Sequence, residues 1–553
     1  MNSSIKSMGR ILGILLVFFS LTAVGQNKLT PDQWQEDLKY LQETVHQKYP
    51  FLFKKVTAEA FDAAVAELHD QIPSMADHEV MVGLNRIVSM FKYGHTDMGF
   101  RGGVVDYHKL PINLYHFNDG VFIEGTSKDN ERALGAKVLK IGDTTIEKAL
   151  ELIYPAVPAE NDMYFKAFGL NYLVIPEILH AQRVIPEYSM DVTFTLEKDG
   201  QTFEHTFKGG DKDAFKTVYS LMKPEGEMLS MRDQSETPLY LKEISKIYHF
   251  EYLPEQKTVY VRQSQIQDDP SEDVPTFYGK VFEFIENNDV ERFILDVRLN
   301  GGGNNYKNKP IITGVIQSKI NEVGKFYVIL GRRTFSACQN LVNELDNYTN
   351  VIFVGEPSAE NINFYGDNRK ETLPNSKLPA YLSFAWWQDK PQWENADWMA
   401  PNVFVDMSST QYMNNEDPVL EAALSFENGE GTVLDPMGYL TELFMKGEYE
   451  KVATEAARLV NDPMHQYTDF EGQFVQAGFN LLEGEQPQGS LFVFDMTSKL
   501  FPDSAQVWYG LAEALVANGE NDKAKGVYQK VSQMDPYGPN GEKARNKLKA
   551  IGN

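Results

Sequence analysis

Three short segments of this chain have the residue types and settings that acyl-transfer chemistry needs. In Gly331-Arg-Arg-Thr-Phe-Ser-Ala-Cys-Gln-Asn340, a strand-like run ends at Leu330 and a helical pattern begins near Ser336. A serine at such a junction lies beside unpaired N–H groups at the helix start, which can stabilise an oxyanion. Serine is also a common helix N-cap, and on this segment alone the cap is the simpler reading. Cys338 falls on the apolar face with Leu341, Val342 and Leu345 and reads as a core thiol. The second segment, Asp296-Val-Arg-Leu-Asn-Gly-Gly-Gly303, carries three glycines that let backbone approach a ligand closely. It has no Gly-Lys-Ser/Thr and no G-x-G-x-x-G, so a donor loop for an oxyanion fits better than a phosphate cradle. The third is His95 in Phe91-Lys-Tyr-Gly-His-Thr-Asp-Met98. An imidazole is matched to taking a serine proton near neutral pH, although a lone histidine here reads equally well as a surface or capping residue.

Taken together the segments say more. Gly94-His95-Thr96, Asp296 to Gly303, Arg333-Thr-Phe-Ser336, Gly355-Glu-Pro357, Leu373-Pro-Asn-Ser376 and Asp417-Pro-Val-Leu420 occur in one order along the chain. In this the sequence resembles the S41 family of C-terminal-processing, or tail-specific, proteases, in the Gly-His-Thr branch that includes tricorn-core-like proteins. Residues 102–160 resemble the family's PDZ-like module through Leu134-Gly-Ala-Lys-Val-Leu-Lys-Ile-Gly142. The resemblance implies an α/β core of the ClpP/crotonase kind. It also implies Ser336 as nucleophile, His95 as base, and an oxyanion hole from the amides of Ala337 and the Gly301-Gly302 turn. Many tail-specific proteases use a lysine shortly after the Gly-Glu-Pro turn, where this chain has Asn361. An asparagine cannot accept the serine proton, which leaves the role to His95. Asp97, Glu356, Glu360 and Asp367 are the acids that could orient it, and Glu360 is our choice.

The implied activity is that of an exported serine-type peptidase acting on unfolded or C-terminal polypeptide, with the PDZ-like module offering an edge strand to the tail. Two other readings stay open: a silent peptide-binding scaffold, motivated by Asn361, and a hydrolase of a non-peptide ester or amide. The sequence around Ser336 is not the G-x-S-x-G elbow, which argues against an α/β-hydrolase esterase. No cofactor is expected. No metal is expected either, for the sequence has no H-E-x-x-H and no clustered Cys/His pattern. Trp386, Trp387, Trp393 and Trp398 form an aromatic group best explained by packing, with ligand stacking as the alternative.

These residues need elements to hold them, and the chain divides into several. At 553 residues it exceeds what one core organises, and 42% hydrophobic residues supply ample core material. Residues 1–25 read as a signal peptide: Lys6 and Arg10, an apolar run from Ile11 to Val24, then Ala23 and Gly25. Residues 26–100 read as helical, since Trp34, Leu38, Leu41 and Val45, and later Phe61, Val65 and Leu68, recur at helical spacing. Residues 101–250 contain the PDZ-like module with further helices and strands. Residues 251–428 alternate apolar strand-like runs with room for helices, an α/β layer. Residues 435–553 repeat: Trp508, Leu511, Ala512, Leu515, Ala524, Tyr528, Val531 and Pro536 fit tetratricopeptide (TPR) spacing, with turn glycines at Gly519, Gly484 and Gly447. Such helical hairpins would offer a protein partner a concave face, or brace the other domains.

A formal charge of −26 argues against nucleic acid and anionic membranes as partners. No stretch beyond the leader is apolar enough for stable membrane insertion, so the mature protein is expected in a periplasm or outside the cell. Its single cysteine, Cys338, excludes an internal disulfide.

Overall fold

The helical spacing of Trp34, Leu38, Leu41 and Val45 becomes the buried stripe of a helix over Pro31–Lys48, which Thr30 opens with a capping box to Gln33. Helices Ala58–Gln71 and Asp77–Ser89 follow, the former capped by Thr57. The computed structural model from which this architecture is taken describes residues 28–99, 107–213, 216–393, 396–426 and 433–551. The leader expected over residues 1–25 lies outside them.

The next region is an antiparallel sheet with the strand order 228–230, 120–127, 137–141, 191–198 and 201–208, to which strand 112–117 adds beside 120–127. Its hairpin 191–208 turns at Asp199-Gly200, both with positive φ (52° and 72°), as a two-residue hairpin loop of the primed type requires. The N-terminal helices, this sheet and a later hairpin (Phe364–Thr372 with Pro379–Trp387) bury their apolar residues in one continuous core. The boundary expected near residue 100 is therefore a change of secondary structure within a shared core.

The α/β layer is a six-stranded sheet. Strand Tyr248–Leu253 pairs antiparallel with Thr258–Gln263, and Arg292–Asp296, Phe326–Leu330, Ile352–Gly355 and Val403–Phe404 continue it in parallel. Its alternation sorts side chains to two faces. Val259, Val261, Phe293, Leu295, Val328 and Leu330 share a core with helices Val274–Asn287, Lys309–Gln317 and Ala337–Tyr348. Tyr260, Ile294, Tyr327, Ile329, Ile352 and Val354 pack with Val419, Leu420 and Ala423 of helix Pro418–Ser425 on the other. A sheet buried on both faces reads as near-continuous apolar runs, which is why these strands were legible.

From Pro436 the chain forms helical hairpins, 436–445 with 449–460, 470–483 with 487–500, and 505–517 with 521–534, then a last helix over 539–551. Gly447 and Gly519 take left-handed turn positions (φ 76° and 77°). At the middle hairpin Gly484 does not; Glu485 takes that position instead, at φ 56°.

Candidate active site

The parallel strand Phe326–Leu330 delivers the chain to the loop Gly331–Phe335, and helix Ala337–Tyr348 carries it away. Ser336 occupies the N-cap position between them, yet its side chain makes no capping bond. Its backbone is held at φ 59°, ψ −130°, a conformation that costs a non-glycine residue roughly 1–3 kcal/mol and persists only where surroundings enforce it. The enforcing contacts are visible. Phe335 N–H donates to Asn300 O (3.1 Å), Thr334 Oγ1 donates to Val297 O (3.1 Å), and Ser336 N–H donates to Glu360 Oε2. The effect is to turn the hydroxyl away from its own helix.

That hydroxyl meets His95, whose Nε2 lies 2.9 Å from Ser336 Oγ across 241 residues of sequence. Thr96 Oγ1 donates to Ser383 Oγ (2.8 Å), and Asp97 and Tyr381 pair as a β-bridge, so the histidine's segment is stitched to the long hairpin. Asn368 Nδ2 donates to His95 O (2.9 Å). The imidazole lies parallel to the rings of Phe335 and Phe364, with centroids 4.6 Å and 6.0 Å away. Gly94 is required beside it: a Cβ there would lie 2.3 Å from the Tyr164 ring and 2.9 Å from Phe335.

Behind His95, Nδ1 is 3.1 Å from Glu360 Oε1, close but out of line for a straight hydrogen bond. Glu360 is wholly buried. Its loop is fastened to the loop before Ser336 by Ala359 N–H donating to Thr334 O (2.9 Å). Of the other acids considered, Glu356 is taken by Arg332 (2.6 and 2.9 Å), and Asp97 pairs with Tyr381 through its backbone. Asp367 is exposed and acts on His95 only through its charge.

A second buried carboxylate was not anticipated from sequence. Glu160, 5% exposed, accepts from Gly94 N–H (2.8 Å) and Asn361 N–H (3.2 Å), the amides just before His95 and just after Glu360. Its carboxylate also lies beside that of Glu360, an oxygen of each within 4.8 Å of the other. Like charges so close cannot both ionise out of water, and the pair retains a proton at neutral pH. Burial first, then Glu360, pushes Glu160 up to about 8; burial likewise raises Glu360 well above the ordinary carboxylate range. Burial holds His95 below its ordinary value, against the charges of Glu160 and Asp367. Lys55 adds a positive charge that favours ionisation of both acids. No local motif marks Glu160; the one available hint was an acid set in the small, apolar stretch Val157-Pro-Ala-Glu160.

The glycine loop passes directly under the serine. A Cβ at Gly302 (φ 94°) would lie 2.5 Å from Ser336 Cβ and 2.9 Å from Ala337 N. Gly303 is fixed by a bridge to Ile266, whose N–H donates to Gly302 O (2.9 Å). The expected donors need one refinement: the Gly302 amide donates to Asn300 Oδ1 (2.9 Å), so Gly302 serves close approach. Gly301 is exposed, and the Ala337 amide, first of its helix, finds no acceptor among the described residues.

Other motifs turn out to be supports. Arg298 bridges Asp296 (2.8 Å) and both oxygens of Asp417 (2.8 and 3.1 Å), and Asp417 in turn caps helix Pro418–Ser425. Asn375 and Ser376 donate backbone N–H groups to Asp37 of the first helix (2.7 and 2.8 Å). Cys338 is buried in the core. Trp386 packs against Tyr365 and under Lys54, whereas Trp398 donates to Tyr467 O (3.0 Å), so the tryptophans serve separate packing sites; the Trp393 side chain lies outside the described residues. His95, Glu160 and Glu360 each offer a ligand atom within 4.8 Å of the others, a grouping able to hold a cation that no sequence spacing announced.

No protein-family model and no curated protein matches this sequence. Its structure is similar to mature CPAF bound to lactacystin, at 10% identity over 71% of this chain and 98% of that one, with a TM-score of 0.50. Mature CPAF alone gives 11% identity, 73% and 99% coverage, and a TM-score of 0.50. A looser likeness, TM-score 0.34 and 13% identity over 73% and 99% of the two chains, is to a putative peptidase from Parabacteroides merdae. At these identities the likeness concerns the fold alone, and in fold this chain stands with mature CPAF.

Proposed function

We propose that this protein is an exported serine-type peptidase that cleaves polypeptides by acyl transfer to Ser336. The observation that carries the reading is the 2.9 Å contact of His95 Nε2 with a serine hydroxyl held on a strained strand-to-helix turn. His95 takes the hydroxyl proton as Oγ attacks the scissile carbonyl. The Ala337 amide, with the Gly301 amide of the glycine turn, then stabilises the oxyanion, and each such donor typically contributes about 10²–10³ in rate. The imidazolium passes its proton to the leaving amine, and water, activated by the same nitrogen, releases the acyl group. Glu360 keeps the other ring proton on Nδ1, so that Nε2 presents a lone pair to the serine. Glu160, which with Glu360 retains a proton, moderates the negative charge behind the imidazole and ties the two halves of the pair together.

By resemblance the substrate is an unfolded or C-terminal polypeptide segment, with the antiparallel sheet acting as a PDZ-like tail-binding module. The C-terminal hairpins serve as TPR-like repeats, and residues 1–25 as the cleaved export signal to a periplasm or the exterior. Among the described residues no helix is long and apolar enough to cross a membrane. Peptide capture without cleavage is the second reading, favoured by Asn361 in place of a lysine and by the indirect His95–Glu360 alignment. Digestion of an unfolded model protein by the mature chain, beside Ser336→Ala and His95→Ala, decides between them. Cutting by the wild type alone supports the peptidase. Three inert but folded proteins that still bind peptide support capture.

A further inference from the structure

Three residues before the nucleophile, Arg333 lines a cavity between the antiparallel sheet and the catalytic layer, with about 70 Å³ of free space. That is room for several waters and therefore for a small polar group. The cavity's other arginines are neutralised, Arg298 by Asp296 and Asp417, and Arg332 by Glu356 with Asp406 3.7 Å away. Arg333 is different. It makes no ion pair among the described residues, and the groups that favour its charge are the phenols of Tyr115 and Tyr219. Its Nη1 donates to the Ser220 hydroxyl, its guanidinium lies 5.0 Å from the Phe168 ring centroid, and its Nε is buried without an acceptor. Burial pushes it down to about 10. Lys166 lines the same cavity, again without an ion pair among the described residues.

The facing wall is a hairpin tip under strain. Strands Thr217–Val218 and Leu221–Met222 are joined through Tyr219 and Ser220, with φ of 51° and 67°. Two-residue loops of this kind are normally Asn-Gly or Gly-Gly; two side-chain-bearing residues here store strain that the surroundings must hold. They do: Asn113 Nδ2 donates to Ser220 O (2.9 Å), and Gln265 Nε2 donates to Tyr219 OH (3.3 Å). Gln265 precedes Ile266, the residue that bonds to Gly302 under the nucleophile. The tip thus touches the loop before Ser336 at Arg333 and, at Gln265, the segment that pairs with the glycine loop.

We propose that this cavity is a substrate subsite for a carboxylate, either a C-terminal α-carboxylate or an Asp/Glu side chain, bound by Arg333. The proposal rests on the peptidase reading. Three residues of chain span at most about 11 Å, so the carboxylate would stand only a few residues from the scissile bond. A guanidinium presents a planar fork that pairs two N–H groups with a carboxylate, and Arg333 has its Nε edge unused. Binding would replace a neutral hydroxyl contact with a charge-assisted pair in a partly buried setting, worth roughly tenfold to a hundredfold in affinity.

The test is binding by the full chain carrying Ser336→Ala, so that no turnover intervenes. Fluorescence anisotropy is read with labelled alanine-rich octapeptides ending in a free carboxylate or an amide, each with and without one internal glutamate. The expected result is at least tenfold tighter binding of one carboxylate class over the amidated, glutamate-free peptide. Adding Arg333→Met should abolish that difference, and Arg333→Lys should keep part of it, with unchanged melting curves in both. Preference following the terminus assigns an α-carboxylate; preference following glutamate assigns a side chain. Equal binding of all the peptides, no binding of any, or a preference that survives Arg333→Met overturns the subsite. Wild-type digestion of an unfolded protein runs alongside. Cleavage without a carboxylate preference sinks the subsite alone, and a preference without cleavage sinks the peptidase reading alone.

Discussion

Glu160 and Glu360, one from the antiparallel-sheet region and one from the α/β layer, lie together beside His95, a carboxylate oxygen of each within 4.8 Å of the other and of an imidazole nitrogen. Each also accepts a backbone N–H from a site segment: Glu160 from Gly94 and Asn361, Glu360 from Ser336. The two acids therefore tie the segments that carry His95 and Ser336 to each other.

That pair predicts a stability profile. A carboxyl whose folded value is raised contributes stability fully present below its unfolded value, near 4.5, and lost as pH rises through the folded one. For Glu160 the window therefore runs from about 4.5 to about 8. Thermal melts should show the wild type losing stability from pH 6 to pH 8.5, and Glu160→Gln should flatten that loss. A variant slope equal to the wild type's would remove Glu160 from the account.

Gly302→Ala should abolish activity while the chain still folds. The added Cβ meets Ser336 Cβ at 2.5 Å and Phe335 O at 2.8 Å, and the backbone sits at φ 94°. Overpacking of this kind costs about 1–3 kcal/mol, small beside the stability of a large domain, whereas displacing the nucleophile costs about 10²-fold or more. Steady-state kinetics with a melting curve on the same sample separate the two effects.

The pH dependence of kcat/KM reports the free base. Burial holds His95 below 6.5, so the acid limb should fall off below that value and leave the enzyme fully active at pH 7. An acid limb centred above 7 would point to another base.

Arg298 is a structural bridge between buried carboxylates. Its side chain is 10% exposed, Asp296 is fully buried and Asp417 nearly so. Arg298→Met strands both acids, and removing one partner of a buried pair costs roughly 3–5 kcal/mol. Chemical denaturation should show that loss. A second change, Asp417→Asn, should cost less on the Arg298→Met background than on the wild type, because it removes one of the uncompensated charges.

Much of this was legible in the chain. The strands of the α/β layer announced themselves as apolar runs because both faces are buried, whereas Ser336, at a strand-to-helix junction, and His95, after Gly94, each read alone as a cap or surface residue. Their pairing came from the order of several motifs and not from any one of them. Glu160 was invisible because its role depends on two amides and a carboxylate brought together by tertiary contacts. The Gly302 amide was misjudged for a related reason: its acceptor, Asn300, lies two residues away, and only the folded turn directs the amide to that side chain. The strained Tyr219-Ser220 turn carries no turn-forming residue pair and so left no local signal.

The central claim is that Ser336 is a nucleophile made reactive by His95. The most direct measurement is intact-mass and peptide mapping after exposure to a fluorophosphonate probe, which forms a stable bond with an activated serine oxygen. The account predicts one adduct per chain, mapped to Ser336, and its loss in folded His95→Ala. No adduct on the wild type, or an adduct on another residue or one indifferent to His95, would contradict it.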